Sequence, residues 1–409
     1  MTTSAHPHPS RLRPFELTQV RTPWPIKQLL GGQFAPSQQQ YLDLHKGLFE
    51  GDPVMDQYIE ARIKASPDRP DWREFHQALQ LNNPLACQGS DALQTLLQFT
   101  CTNPDWADWA LIEEGVQFIH STGRAATDVL RDMALMGGYL MVAFNKTLIL
   151  TGELEKGAAP RLASTAQWWL KVVNPHANHA GGPGAMSTLR VRWMHALVRR
   201  QLQHSSQWDA TQWGLPINQV DMAATYLGFS AVMLLGLRKM GIVVTPRNSK
   251  AVMQLWKLIG WQMGVKEEWL VDTEAQALIQ LRRFLFTHSP PDESTHRLAT
   301  ALAGEPLSRG YNNFQNLRRA YAHQKHLSSS WYLLGPRMFR KLRLRAPFGP
   351  FIALLAVPAR AALHVLGRCT PGLAKWHVRQ GRKSQEIAVA ELQQRQVQQA
   401  VPPVSVNAS

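Results

Sequence analysis

Cysteine is scarce in this chain. Three occur in 409 residues, Cys87, Cys101 and Cys369, and no two stand at a C-x-x-C spacing. Zinc ribbons, four-thiolate iron–sulfur sites and disulfide scaffolds are thereby excluded, and cytoplasm is the expected compartment. No apolar run near the start is long enough for a signal-peptide core. The longest uncharged apolar stretch is Ala346–Ala359, fourteen residues interrupted by Pro350 and Pro358. It is too short and broken to span a bilayer, and suits an interfacial segment or a buried helix. Period-two alternation is nearly absent, GIVV at Gly241 being the one short β-like run. Signatures of common enzymes are missing as well: there is no G-x-S-x-G elbow, no G-x-x-x-x-G-K-[ST] loop and no G-x-G-x-x-G after a strand.

Acidic residues are missing from one place. None lies between Glu305 and Glu386, a stretch with fifteen Lys or Arg, while the rest of the chain balances 29 basic against 29 acidic residues. The net charge of +15 is therefore a property of the C-terminal fifth. One local basic face follows, which argues against a uniformly basic nucleic-acid binder.

What is present is helical and globular. Hydrophobic residues make up 44% and charged residues 18%, and the length exceeds one ordinary core. Apolar residues recur at helical spacing from Gln38 to Ala65, and from Ser121 to Phe144 as one long buried helix with Gly137-Gly138 at a close packing point. Pro160 opens a helix through Val172, and the next helix is expected over Ser187–Gln203 after the loop NPHANHAGGPG. GLPINQVD is a helix start capped by Asn218. The division expected is an irregular lead-in over 1–36, a helical domain over 37–330, and a basic helical extension over 331–409.

Two constellations carry candidate chemistry. TLRVRWMHALVRRQL sets His195 on an apolar stripe with Val191, Met194 and Val198, flanked by Arg192 and Arg199 on the same helical face. Spacing leaves two readings open. One is a core histidine donating to a backbone carbonyl, with snorkelling arginines. The other is a proximal haem ligand with arginines for the propionates. One helix upstream, PRLASTAQWWLKVV stacks Arg161 over Thr165, either as a half-exposed first turn or as a polar pair in an apolar pocket lined by Trp168 or Trp169. The H-x-x-H pairs His176/His179 and His323/His326 read as loop or surface histidines rather than metal sites.

RLAST, VRWMHALVRR, GLPINQVD and the earlier GDPVMDQYIEARI, in that order, resemble the latex-clearing-protein or MpaB (rubber-oxygenase) family. The resemblance covers roughly Gln38 to Phe229. It implies an all-α fold, a globin-like helical core with additional helices at both ends. It also implies haem b, with His195 as the iron ligand and Arg161 and Thr165 on the distal side. Two positions depart from the family pattern: Ser164 stands where some members carry a lysine, and Asn145 falls near their acidic residue. The function expected is a haem-dependent oxygenase acting with O2 on an unsaturated apolar substrate, an isoprenoid or a lipid. A haem-binding gas carrier or sensor and a peripheral membrane protein are the alternatives. No nucleic-acid partner is expected, and residues 337–383 are expected either to meet an anionic membrane or to pack on the core.

Overall fold

The computed structural model describes residues 8–65, 73–80, 85, 88–152, 157–311 and 313–398, so Cys87 and both chain ends lie outside them. Every regular element among these residues is helical, and GIVV at Gly241 forms no strand.

The core is built around one continuous apolar rod, Gln219–Lys239. Its start is capped as expected, Asn218 Oδ1 accepting from the Asp221 amide at 3.0 Å. The rod runs as an α-helix over Gln219–Leu227, widens to a π-helical stretch over Gly228–Val232, and resumes over Met233–Lys239. By length and composition it is apolar enough to cross a membrane, but most of its apolar length is buried inside the fold. Pro246–Gln262 and Arg124–Val129 pack against it and Trp109–Ser121 packs on Pro246–Gln262, with Val129, Leu234, Leu237, Val252 and Trp256 fully buried.

The long helix expected over Ser121–Phe144 is not continuous. Arg124–Val129 is followed by a second π-helical stretch, Leu130–Leu135, and the helix ends at Gly138. The chain then turns by 93° into Val142–Leu150. The corner is held at Tyr139, whose carbonyl accepts from Asn145 Nδ2 at 2.8 Å and from Thr295 Oγ1 at 2.8 Å. Hydrophobic periodicity did not show this break, because both arms are apolar. The helix carrying His195 starts earlier than expected, at Pro183, where proline suits a first turn.

The expected lead-in is part of the fold. Leu12 lies in the main core, and Arg11 makes a buried bidentate pair with Asp221 at 3.1 and 3.0 Å. The expected division at 330/331 falls inside the unbroken helix Gln315–Leu334. The basic extension continues through Pro336–Lys341, Phe351–Cys369 and Pro371–Gln398. The last of these packs on Trp109–Ser121 and Ala158–Val172, and Gln385 Nε2 donates to the carbonyls of Ile119 and Gly123 at 2.8 and 3.0 Å.

Candidate active site

The two π-helical stretches pack against each other, and both line a mainly apolar cavity of about 870 Å³. Each inserts one extra residue per turn, which swings side chains off the regular helical rows, a feature common at functional sites. Leu130, Met133 and Leu135 line it from one stretch, Phe229 and Val232 from the other. The helix Ala158–Val172 supplies Arg161, Leu162, Thr165, Ala166 and Trp169. Arg161 and Thr165 therefore do share the cavity, together with Trp169; Trp168 is not on its lining.

Arg161 Nη2 donates to the hydroxyl of Tyr139, over whose ring its guanidinium also lies, 5.4 Å from the centroid. Burial raises the Tyr139 pKa against the lowering effect of Arg161, so the phenol stays protonated. A guanidinium can only donate, so this pair leaves the phenol hydrogen free for another acceptor. Ser164 turns away: it is exposed, and its Oγ donates to the Pro160 carbonyl at 2.9 Å. Asn145 is wholly buried and off the cavity lining, spent on the Tyr139 corner.

Part of the cavity lining is charged. Arg131, Asp128, Lys325, His326 and Arg309 belong to it. His326 Nδ1 lies 2.8 Å from Asp132 Oδ2, and Arg131 contacts Asp132 Oδ1 at 2.6 Å and Glu305 Oε2 at 3.2 Å. Arg309 clamps Glu305 at 2.9 and 2.8 Å, and Lys325 pairs with Asp128 at 2.8 Å. Burial raises the Asp132 carboxyl to about 6 against the pull of Arg131. Burial and then Arg131 drive His326 well below the ordinary imidazole range. His326 was expected on the surface; it is 5% exposed, because its helix turns that face toward Asp132. Sequence spacing gave no sign of this network, since its members come from segments about 170 residues apart.

His195 and its two arginines sit elsewhere, on Pro183–Gln203, and none of the three is on the cavity lining. Arg192 is 2% exposed and grips Asp52, with Nη2 at 2.7 Å from Oδ1, while its guanidinium stacks 4.3 Å from the Phe99 ring. Arg199 donates to both oxygens of Asp56 at 3.2 and 3.1 Å and to the Ile217 carbonyl at 3.0 Å. Asp52 and Asp56 belong to the GDPVMD element, so that motif and the arginine-flanked histidine are two halves of one clamp. The glycines fit it: a Cβ on Gly264, at φ +90°, would overlap Asp52 and Arg192, and one on Gly51 would overlap Asp56 and Arg199. Trp168, between the two regions, donates from Nε1 to Thr188 of the His195 helix at 3.1 Å and packs edge-on against Phe229 of the cavity.

The family model described as "ER-bound oxygenase mpaB/B'/Rubber oxygenase, catalytic domain" matches residues 123–381, more than half of the chain. The chain belongs to the mpaB/rubber-oxygenase family. A curated relative, the rubber oxygenase of Streptomyces sp. (strain K30), is 23% identical over 265 residues, 63% of either chain, so less than two thirds of that relative's length is spanned. Among solved structures, latex clearing protein LCP in its closed state shares the fold at a TM-score of 0.64 and 19% identity, over 83% of this chain and 91% of that one.

The residues can be tested against a haem group of the kind resemblance to the mpaB/rubber-oxygenase family implies. His195 suits an iron ligand. Burial, then Arg199, lowers its pKa to about 4, so the imidazole is neutral, and Nδ1 is shielded from solvent without a hydrogen-bond partner although the ring keeps some exposure. Arg192 and Arg199 do not suit the propionates. Each is already neutralised by a carboxylate, and a buried guanidinium stripped of its partner would be strongly destabilised. Among the described residues no group of three His, Cys, Asp or Glu stands ready for another metal.

Proposed function

We propose that this protein is a haem b-dependent oxygenase that acts with O2 on the C=C bond of an unsaturated apolar substrate, an isoprenoid or a lipid. One observation carries the reading: a mainly apolar cavity of about 870 Å³ whose lining includes the hydrogen-bonding groups Arg161, Tyr139 and Thr165. Membership of an oxygenase family supports the reaction class. His195 would hold the haem through a neutral imidazole nitrogen. When bound, haem supplies O2 binding and redox chemistry that side chains lack.

The chain's own residues bind, orient and exclude water. Leu130, Met133, Leu162, Trp169 and Phe229 give an isoprenoid-like chain an apolar wall. Arg161 fixes the Tyr139 ring, and the phenol and the Thr165 hydroxyl can donate to an oxygen-bearing guest. His326, held against Asp132, is a fixed polar group on the same lining.

The test is the visible spectrum of protein expressed with ample haem, followed by oxygen uptake. A Soret band that His195→Ala removes, and O2 consumption requiring a substrate double bond, are expected. Arg161→Ala and Thr165→Ala should keep the band and lower the uptake at least tenfold, on the order of one lost donor to developing charge. Colourless wild-type protein, or a full band in His195→Ala, overturns the haem assignment; uptake unaffected by both distal variants overturns the cavity as the site.

A further inference from the structure

The helix Phe351–Cys369 is built inside out. The stripe it turns to the fold is Ala353 and His364, both buried, eleven residues or three turns apart. The stripe it turns outward is Phe351, Leu355 and Leu366, 68%, 80% and 58% exposed, joined by Leu363 at 64%. A helix on a water-soluble surface normally does the reverse. Phe348 precedes this face and Trp376 follows it, each more than half exposed. The helix is too short to cross a bilayer and is docked by its inner side, where Ser328 Oγ accepts from the Ala353 amide at 3.2 Å.

We propose that this face is a docking surface for an anionic lipid bilayer, on which the helix lies in the interfacial plane. Charge selects the occupant. Arg343, Arg345, Lys375 and Arg379, which flank this helix in the chain, are exposed, and no acidic residue occurs between Glu305 and Glu386. Among the described residues Arg345, Lys375 and Arg379 have no carboxylate partner, and Arg343 reaches only an exposed Glu293 at 3.9 Å. A second copy would set these cations against one another, whereas anionic headgroups supply the missing counter-charge. An exposed apolar helix face rimmed by cations is the recognised form of a monotopic anchor.

The helix just before Phe351–Cys369 in the chain reaches the cavity. Met338, 42% exposed, lies on the cavity lining in the helix Pro336–Lys341, which carries exposed Arg337, Arg340 and Lys341. Entry of a lipid-borne substrate beside Met338 rests on the oxygenase reading; the docking itself does not.

Vesicle co-sedimentation tests it, with no substrate and no activity readout. Wild-type protein is expected to pellet with phosphatidylcholine vesicles containing phosphatidylserine, not with phosphatidylcholine alone, and to be released by high salt. Arg345→Ala, Lys375→Ala and Arg379→Ala each weaken binding about fivefold, the effect of one cation near the surface. The pair Leu355→Glu and Leu366→Glu abolishes binding with an unchanged circular dichroism melt, since both positions are exposed. Wild-type protein left in the supernatant with both vesicle types at low salt overturns the proposal. So does binding that survives the paired leucine variant. An oligomer in light scattering that this variant dissociates, without vesicle binding, makes the face a self-interface and overturns it equally.

Discussion

Single residues divide into those that hold the fold and those that face the cavity, and the flanking arginines fall on the holding side. Arg192 is paired with Asp52 out of contact with water, so Asp52→Asn leaves a guanidinium buried without its counter-charge. Breaking such a pair costs about 3–5 kcal/mol, whereas replacing both partners by apolar residues is often neutral. Urea unfolding of haem-free protein is therefore expected to show a loss of that size for Asp52→Asn and a smaller one for Asp52→Leu with Arg192→Met. Unchanged stability in Asp52→Asn would free Arg192 for a cofactor role. Tyr139 gives the contrasting case. Tyr139→Phe keeps the ring under Arg161 and removes only the hydroxyl, costing about 1 kcal/mol in stability. It should lower oxygen uptake by more than that loss explains.

Elements show where reading from sequence succeeds and where it stops. The Asn218 cap and the Pro160 helix were legible, because each depends on neighbours within about one helical turn. Spacing puts Arg161 and Thr165 on one helical face, but it leaves a half-exposed turn and a pocket both open. The 93° corner at Tyr139 was not, since Asn145 and Thr295 fix it from different helices and the apolar pattern runs on through it. The Asp132–His326 network was hidden for the same reason, joining helices 194 residues apart. The clamp was half legible: the acidic and basic motifs were both recognised, but a linear pattern does not say that one neutralises the other. Packing of the two π-helical arms can be tested at Gly236. A Cβ there would overlap Val129 Cγ1 and reach Met133 Sδ at 3.0 Å, whereas one at Gly138 meets nothing within 4 Å. Gly236→Ala should cost about 1–3 kcal/mol through overpacking. Gly138→Ala should cost nothing, because alanine favours helix. Equal effects of the two in denaturant unfolding would mean the arms are not closely packed.

For the whole molecule, buried neutral histidines set the response to acid. Burial pushes His120 down to about 4, helped by Arg382, and His288 to about 3, helped by Arg11 and Arg13. His326 lies well below the ordinary range for the same first reason. An unfolded histidine takes its proton near pH 6.5, so below that the unfolded chain binds protons that the native one refuses, and stability falls as pH falls. Asp132 works the other way. Raised to about 6, it holds a proton in the native state between roughly pH 4 and 6 that the unfolded state lacks, and so adds stability as pH falls through that window. Asp132, with Asp56 raised by burial in the same direction, opposes four histidines, since His195 is likewise held at about 4. Each histidine is worth about 1.4 kcal/mol per pH unit over its window, so the histidines win. The urea midpoint should therefore drop steadily from pH 7 to pH 5. His288 offers the clean test, because neither ring nitrogen has a partner and the ring lies beside Phe144, 6.1 Å between centroids. His288→Phe replaces an unsatisfied buried imidazole by an apolar ring of similar breadth. The variant should be at least as stable as wild type at pH 7 and should lose less stability at pH 5. A midpoint that is flat with pH in the wild type, or an unchanged slope in His288→Phe, would show that these histidines are solvated in the native protein.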